Sequence, residues 1–224
     1  MNWRDAMAWT NALTEWYNAK AGASLEPVYY SDSGYTSPIR TVTDNDGISG
    51  ISDGPGEEDN PYVKSDADGF RLPSTDEWEL AARYIKDDNG DGAITTPGEY
   101  YPGNYASGAD ADYNAAGAPV DYDDDGDQDT TGDVAWYEDN AGGGTHDVAT
   151  KDDNALGLFD MSGNVREWTF DWEPGDNRIE RVMRGGGVYN YGAGGAYVQL
   201  GWVFTTYPYT AGGELGFRPA RNAE

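Results

Sequence analysis

Glycine interrupts this chain so often that long regular elements fit in only a few places. The 224 residues include 31 glycines and 11 prolines. Glycine favours turns, and proline ends most helices and central strands, so this pattern predicts a loop-rich fold of short elements rather than a helical bundle. From Asn154 onward, short apolar segments alternate with glycines, which predicts strands joined by turns.

One helical pattern opens the chain over residues 3–18, and Gly22 is expected to end it. Four apolar side chains are expected to face the core: Trp3, Met7, Leu13 and Trp16. Four polar side chains are expected to face solvent: Arg4, Asp5, Asn11 and Glu15. The sequence therefore predicts an amphipathic first helix.

A second helix is predicted from its start signal. Ser74 and Glu77 have the spacing of a capping box, and an apolar run follows them. Two long polar segments, 43–69 and 87–133, carry little periodicity, and the chain has neither an internal repeat nor a linker typical of a domain boundary. These observations predict one α+β domain over residues 1–224.

The charge and the rare residue types exclude several functions. With 41 acidic and 14 basic residues the formal charge is −27, which repels nucleic acid and anionic membranes. No apolar run approaches the roughly 18 residues that span a bilayer, so direct membrane insertion is not expected. The absence of cysteine excludes disulfides, thiolate metal sites and thiol catalysis. A single histidine, His146, excludes a metal centre built on several histidines of one chain.

Two acidic segments, 87–99 and 121–133, resemble calcium-binding loops. In the first, oxygen-bearing residues alternate from Asp87 to a glycine at the sixth position, and Glu99 stands one place beyond the usual twelfth. The second repeats the pattern from Asp121. Neither has the flanking helix pair of an EF-hand, so a solvated acidic loop is the alternative to a calcium site.

Three segments carry a family resemblance. They read NALGLFDMSGNVREW at 154–168, RVMRGG at 181–186 and LGFRPAR at 215–221. Together they resemble the formylglycine-generating-enzyme (sulfatase-modifying factor) family. The resemblance extends from the first helix to Arg221. It implies a C-type-lectin-like α+β fold in which two helices flank a short antiparallel sheet, with long loops.

The same resemblance implies a structural calcium ion in the first of these segments. Carried over position by position, the ligands would be the side chains of Asp160 and Glu167 and the backbone carbonyls of Gly163 and Val165. Asp160 stands where the family often has asparagine, and its added charge would favour the ion. The alternative is that the two carboxylates only cap and hydrogen-bond a tight turn.

The family's catalytic groups are missing from this chain. Its oxidase chemistry uses two cysteines, which align with Asn190 and Gly195 when the chains are matched at Gly185 and Gly186. Related sulfoxide synthases need an iron site of histidines, which one histidine cannot supply. No enzyme activity of either type and no redox cofactor are therefore expected.

The scaffold is shared with the variable proteins of diversity-generating retroelements, whose diversified segment lies between similar Arg-Gly-Gly and Gly-Phe-Arg boundaries. In this chain that segment is 187–214. Large aromatic and hydroxyl side chains provide contact area at low entropic cost, as in antibody paratopes. The predicted ligand-binding residues are Val188, Tyr189, Asn190, Tyr191, Tyr197, Trp202, Phe204, Thr205, Thr206, Tyr207, Tyr209 and Thr210.

The resemblance thus predicts a non-catalytic receptor that binds a protein or glycan on another cell or surface. Most of the predicted contact residue types are reachable from an asparagine codon by changing adenines, and tryptophan is reachable from an arginine codon. An extracellular, cell-surface or virion location is expected, and an upstream anchor or signal segment is an open question. Two alternatives stay open: a metal-dependent enzyme on the same scaffold and a structural accessory domain of a surface protein.

Overall fold

The computed structural model describes residues 1–42, 51, 54–87, 90, 95–96, 98–113, 129–175, 178–189 and 197–222. Its helices are α1 (Trp3–Ala21), α2 (Thr75–Arg83) and the single turn α3 (Thr131–Val134). Its strands are β1 (Tyr29–Tyr30), β2 (Tyr62–Val63), β3 (Arg166–Trp172), β4 (Arg181–Arg184), β5 (Phe204–Thr206) and β6 (Leu215–Gly216). β1 pairs antiparallel with β2, and the other four strands form a sheet in the order β5-β4-β3-β6. The α+β class predicted from the sequence is confirmed.

Helix α1 has a complete cap at each end. The Asn2 side chain accepts a hydrogen bond from the backbone N–H of Asp5, and the Asp5 carboxylate accepts one from the backbone N–H of Asn2. At the other end Gly22 adopts the left-handed conformation, with φ of 67°, and its N–H donates to the carbonyl of Asn18. The predicted end at Gly22 is confirmed, and the helix runs three residues beyond position 18.

The predicted faces of α1 are wrong in part. Trp3 and Met7 are fully buried, but Trp16 is 57% exposed and Leu13 is only half-buried. Conversely, Arg4 and Asn11 are buried. Burial of these two polar side chains is stable because each is fully engaged by hydrogen bonds, which periodicity does not reveal.

Asn11 joins α1 to the segment around β1. Its amide nitrogen donates to the carbonyls of Tyr29 (2.8 Å) and Ile39 (2.9 Å). Its amide oxygen accepts from the backbone N–H groups of Val28 (3.1 Å) and Tyr29 (3.2 Å). Arg4 is held in a comparable way, because its Nε and Nη2 donate to the two oxygens of Asp59 at 2.7 Å each.

The chain forms two compact units. The first comprises Met1–Ser74, Trp168–Val182 and Thr205–Glu224. At its centre the Arg181 guanidinium lies 3.7 Å from the ring centroid of Trp3 and 3.6 Å from that of Trp172. Arg181 also donates to the backbone carbonyls of Asp59 and Phe170. The prediction of a single domain over 1–224 stays a prediction.

The second unit comprises Thr75–Glu167 and Met183–Phe204. One apolar cluster consists of Trp78, Ala82, Ile85, Tyr101, Met161 and Leu200. Another consists of Ala106, Ala109, Val134, Ala135 and Val198. Helix α2 begins directly after Ser74, which confirms the predicted helix start and directs Trp78 and Ala82 inward.

Two regions predicted as irregular contain short elements. β2 lies within 43–69, and α3 begins within 87–133 and ends one residue beyond it. β3 to β6 all lie after Asn154, where the sequence predicts strands joined by turns. None of the helices in the described part of the chain is long and apolar enough to cross a membrane.

Candidate binding segment and metal turn

The binding segment starts from a fixed arginine at the end of β4. Arg184 is 1% exposed, and its guanidinium donates to the carboxylate of Glu79 (2.7 Å). The same group also donates to the backbone carbonyls of Leu200 (2.9 Å) and Trp202 (3.0 Å). Burial lowers the pKa of Arg184, and the Glu79 charge opposes that shift. Arg184 therefore ties the start of the segment to the carbonyls of residues 200 and 202.

The two glycines that follow Arg184 are required by the backbone. Gly185 and Gly186 have φ of 88° and 68°, in the left-handed region that side chains disfavour. A Cβ on Gly186 would lie 2.3 Å from the carbonyl oxygen of Tyr197. The backbone at 186 and that at 197 thus approach each other too closely for any side chain.

The predicted contact residues of the second unit form an aromatic group at the surface. The Tyr197 ring packs edge-on against Trp202 (centroids 4.7 Å apart) and against Phe204 (5.9 Å). Trp202 and Tyr189 are each 43% exposed, and the Tyr189 hydroxyl donates to the carbonyl of Gly143 (2.6 Å). These rings present apolar area while their neighbours hold them in place.

Val188 is different from these residues. It is 1% exposed, so its side chain packs inside the protein and is not available to a ligand. The prediction erred here because valine fits a buried backbone turn as readily as a surface. Val198 and Leu200 of the same segment are also core residues, with 0% and 2% exposure. Asn190 and Tyr191, together with Gly195, lie outside the described residues.

The first unit carries the other predicted contact residues. Tyr207 is 41% exposed and stacks on Tyr209, with centroids 5.2 Å apart and an interplanar angle of 4°. The hydroxyls of Thr206 and Thr210 share a hydrogen bond of 3.2 Å. The Thr205 hydroxyl donates to the Glu180 carboxylate (2.5 Å). All five of these side chains are at least partly exposed.

Sequence reasoning missed two residues of the segment's surroundings. Val203 is 48% exposed between Trp202 and Phe204. The Arg166 guanidinium lies 4.8 Å from the Phe204 ring centroid, and its Nη2 donates to the Tyr189 carbonyl (3.0 Å). Arg166 lies in one of the segments that carry the family resemblance, but its contacts with Phe204 and Tyr189 are seen only in the structure.

The residues of the predicted calcium turn are oriented by protein contacts. Glu167 is 6% exposed, and its Oε2 accepts a hydrogen bond from the indole of Trp78 (2.7 Å). Asp160 has φ of 54°, and its Oδ2 accepts from the backbone N–H of Ala149 (2.8 Å). Gly163 has φ of 82°, and its N–H donates to the carbonyl of Gly185 (2.7 Å). Both carboxylates carry oxygen donors of the kind that Ca²⁺ prefers. Both are also engaged by protein hydrogen bonds, as the alternative of a hydrogen-bonded tight turn requires.

The two acidic loops are described only in part. Asp87, Gly90 and Glu99 of the first and Asp129 and Asp133 of the second are described, and the remaining predicted donors lie outside the described residues. Asp133 caps α3, where its carboxylate accepts from the N–H and hydroxyl of Thr130 (2.9 and 2.5 Å). Burial opposes the ionised form of Asp133, but these bonds leave its pKa lowered. Within the described ranges, no cluster of three or more His, Cys, Asp or Glu side chains could hold a metal ion.

Comparison with known proteins gives a family and two related folds. A family model described as a sulfatase-modifying factor enzyme 1-like domain matches residues 1–223. The chain is 30% identical over 193 residues to the chaperone protein LppX of Paenibacillus barcinonensis, covering 84% of this chain and 57% of that protein. The chain thus spans little more than half the length of this curated relative.

Among solved structures, Treponema denticola variable protein 1 is 26% identical with a TM-score of 0.62, covering 99% of this chain and 69% of that one. The crystal structure of CarF is 24% identical with a TM-score of 0.59, covering 100% and 66%. These similarities confirm the predicted resemblance to the formylglycine-generating type of C-type-lectin-like fold.

Proposed function

We propose that this chain, which belongs to the sulfatase-modifying factor enzyme 1-like family, is a non-catalytic ligand-binding protein that contacts its ligand through segment 187–214. The observation that carries the proposal is the surface exposure of Tyr189, Trp202 and Tyr207. Exposed tyrosine and tryptophan side chains supply large contact area at low entropic cost, as the contact residues of binding proteins do. The similarity to variable protein 1 supports a scaffold that displays this segment.

Chemistry supports the absence of the family's catalysis. The chain contains no cysteine, so neither position aligned with the oxidase cysteines, 190 or 195, supplies a thiolate. Segment 187–214 also has no histidine and a single carboxylate, Glu214. The segment therefore offers few side chains that could act as a nucleophile or as a general base, and none that could bind copper as a thiolate. Contact area is what this composition provides.

The described contact residues suit a large ligand surface. Tyr197 packs against both Trp202 and Phe204, so the rotamers of these rings are restrained before a ligand arrives and less entropy is lost on binding. The exposed Tyr189 and Tyr207 each add a hydroxyl for hydrogen bonding. The relative LppX is named a chaperone protein, which favours a protein ligand over a glycan.

The diversification part of the proposal is tested by sequencing. The coding segment for 187–214 would be amplified from many cells and compared with any near-copy in the same genome. We expect substitutions only at adenines of the near-copy, concentrated in codons of exposed residues such as Tyr189 and Trp202, and a reverse-transcriptase gene beside it. An invariant segment with no near-copy and no reverse transcriptase would refute this part.

The binding part is tested separately. The wild-type protein and a Tyr189→Ala/Trp202→Ala double variant would be applied to a glycan array and to a displayed library of surface-protein domains. We expect a wild-type ligand whose affinity falls at least tenfold in the variant, since truncated aromatic anchors usually cost that much. A Leu80→Ala variant removes a side chain that is 54% exposed on α2 and should bind as wild type does. Equal binding by all three proteins would refute the role of the segment.

The proposal includes a structural calcium ion at Asp160, Glu167 and the carbonyls of Gly163 and Val165. Bound there, the ion would hold the turn that carries Gly163, whose N–H bonds to Gly185 at the start of the binding segment. The protein would act outside the cell, on a cell surface or virion, where calcium is abundant. The many acidic side chains of the protein would keep it soluble there. Glu167→Gln should weaken calcium-dependent thermal stabilisation, and an unchanged calcium response would remove the ion from the proposal.

A further inference from the structure

Glu99 is a buried carboxylate whose two oxygens have different surroundings. Glu99 is 1% exposed to solvent. Oε2 accepts hydrogen bonds from the backbone N–H groups of Thr95 (3.1 Å) and Thr96 (2.8 Å). Oε1 is also buried, yet among the residues that the structure describes it has no hydrogen-bond partner. A buried acceptor without a partner is costly and is rare in folded proteins.

The backbone around Glu99 fixes its position at the base of segment 87–99. The Glu99 carbonyl accepts from the N–H groups of Ile85 (2.9 Å) and Lys86 (3.4 Å). The next residue, Tyr100, forms an antiparallel bridge with Tyr84. The backbone that carries the Glu99 carboxylate is therefore held in place by hydrogen bonds to residues 85 and 86.

A second carboxylate, that of Asp87, follows Lys86, whose N–H donates to the Glu99 carbonyl. Asp87 is half-buried, and its charge acts on the Glu99 carboxylate. Its Oδ1 accepts from the N–H of Gly90 (2.8 Å), which holds the Asp87 side chain at the start of the loop. Two neighbouring carboxylates repel each other, and a shared cation would turn that repulsion into attraction.

We propose that Glu99, through Oε1, and Asp87 bind a Ca²⁺ ion at the base of segment 87–99. Calcium prefers six to eight oxygen ligands and accepts water and backbone carbonyls beside carboxylates. A hard divalent cation would satisfy the buried Oε1, whereas a proton would have to compete with two N–H donors that favour the ionised group. This site is separate from the turn at Asp160 and Glu167 and does not depend on the binding function.

The test is calorimetric titration of the chelator-treated full chain with CaCl₂, with thermal melts in calcium and in EGTA. The wild type should show a calcium site that Glu99→Gln abolishes and that Asp87→Asn weakens at least tenfold. At saturating calcium that site should raise the Tm of the wild type by about 5–10 °C.

Two control variants distinguish this site from a general loss of acidic charge and from the turn at Asp160 and Glu167. Glu77→Gln changes an exposed carboxylate of α2 to the other residue that suits a capping box, and it should keep the wild-type titration. Glu167→Gln should leave the Glu99 site intact, so failure of the turn site and failure of this one are distinguishable. The proposal is overturned if Glu99→Gln retains every calcium site of the wild type. It is equally overturned if no site remains in Glu167→Gln, with both variants folded by near-ultraviolet circular dichroism.

Discussion

Arg181 shows how a single buried cation organises its surroundings. Its guanidinium lies between the rings of Trp3 and Trp172 and donates to two backbone carbonyls. Burial lowers its pKa to about 9, and the Asp59 charge opposes that shift, so the group is still protonated at neutral pH. Its planar shape is what allows stacking on both faces and donation at the edge.

Arg181→Lys should therefore destabilise the protein even though it keeps the charge. An ammonium group is more strongly hydrated, cannot stack between two rings, and has fewer donors in a fixed plane. We expect a loss of about 2–3 kcal/mol in the free energy of unfolding, measured by urea denaturation. Arg40→Lys is the matched control, since Arg40 pairs with Glu15 at the surface, and it should change stability by less than about 1 kcal/mol. Equal effects at the two positions would contradict the stacking argument.

Gly186 gives a second prediction at this scale. Gly186→Ala forces a side chain into left-handed backbone and places Cβ against the Tyr197 carbonyl, so it should cost about 2–5 kcal/mol. Gly142→Ala tests the backbone conformation alone, because Gly142 has φ of 62° with no atom within 4 Å of an added Cβ. It should cost about 1–2 kcal/mol. Urea unfolding of the two variants separates strain from overlap, and equal losses would mean that the close approach is unimportant.

Among the elements, α1 is one whose ends could be predicted from the sequence and whose buried and exposed faces could be predicted only in part. Its ends follow from local chemistry, because Asn2, Asp5 and Gly22 act within one turn of their own positions. Its faces do not, because Asn11 is buried only by virtue of partners at Val28, Tyr29 and Ile39. Long-range hydrogen bonds leave no periodic trace, so periodicity assigned Asn11 to solvent.

The N-terminal cap of α1 supplies the prediction at the element scale. Asn2→Ala removes the acceptor for the Asp5 N–H and should lower stability by about 1 kcal/mol, or about 2–4 °C in Tm. Asn2→Ser keeps an acceptor at the cap and should recover most of the loss. If both variants melt alike, the contribution of Asn2 comes from its burial and not from the cap.

Over the whole molecule, the family fold was predictable because its signals are local or compositional. The segment RVMRGG ends in two glycines that the backbone requires, and Arg181 and Arg184 are both buried at fixed positions. The candidate site was less predictable. Val188 was assigned to the contact surface by its position in segment 187–214 but is buried. The exposure of Val203 and the ring contact of Arg166 are visible only in the structure. Exposure depends on distant neighbours, which a linear pattern does not specify.

The net charge of −27 acts on the stability of the whole molecule rather than through any single contact. Forty-one acidic side chains against fourteen basic ones repel each other more in the compact state than in the unfolded chain. Added salt should therefore raise the Tm, with most of the gain below about 0.15 M, where the Debye length has fallen to about 8 Å. Melts in EGTA with increasing NaCl measure this screening without calcium. KCl should act as NaCl does, and sucrose, which adds no ions, should not reproduce the dependence at low concentration. A Tm that is constant from about 10 mM to about 150 mM NaCl would mean that the acidic side chains are already neutralised by specific partners rather than by the salt around them.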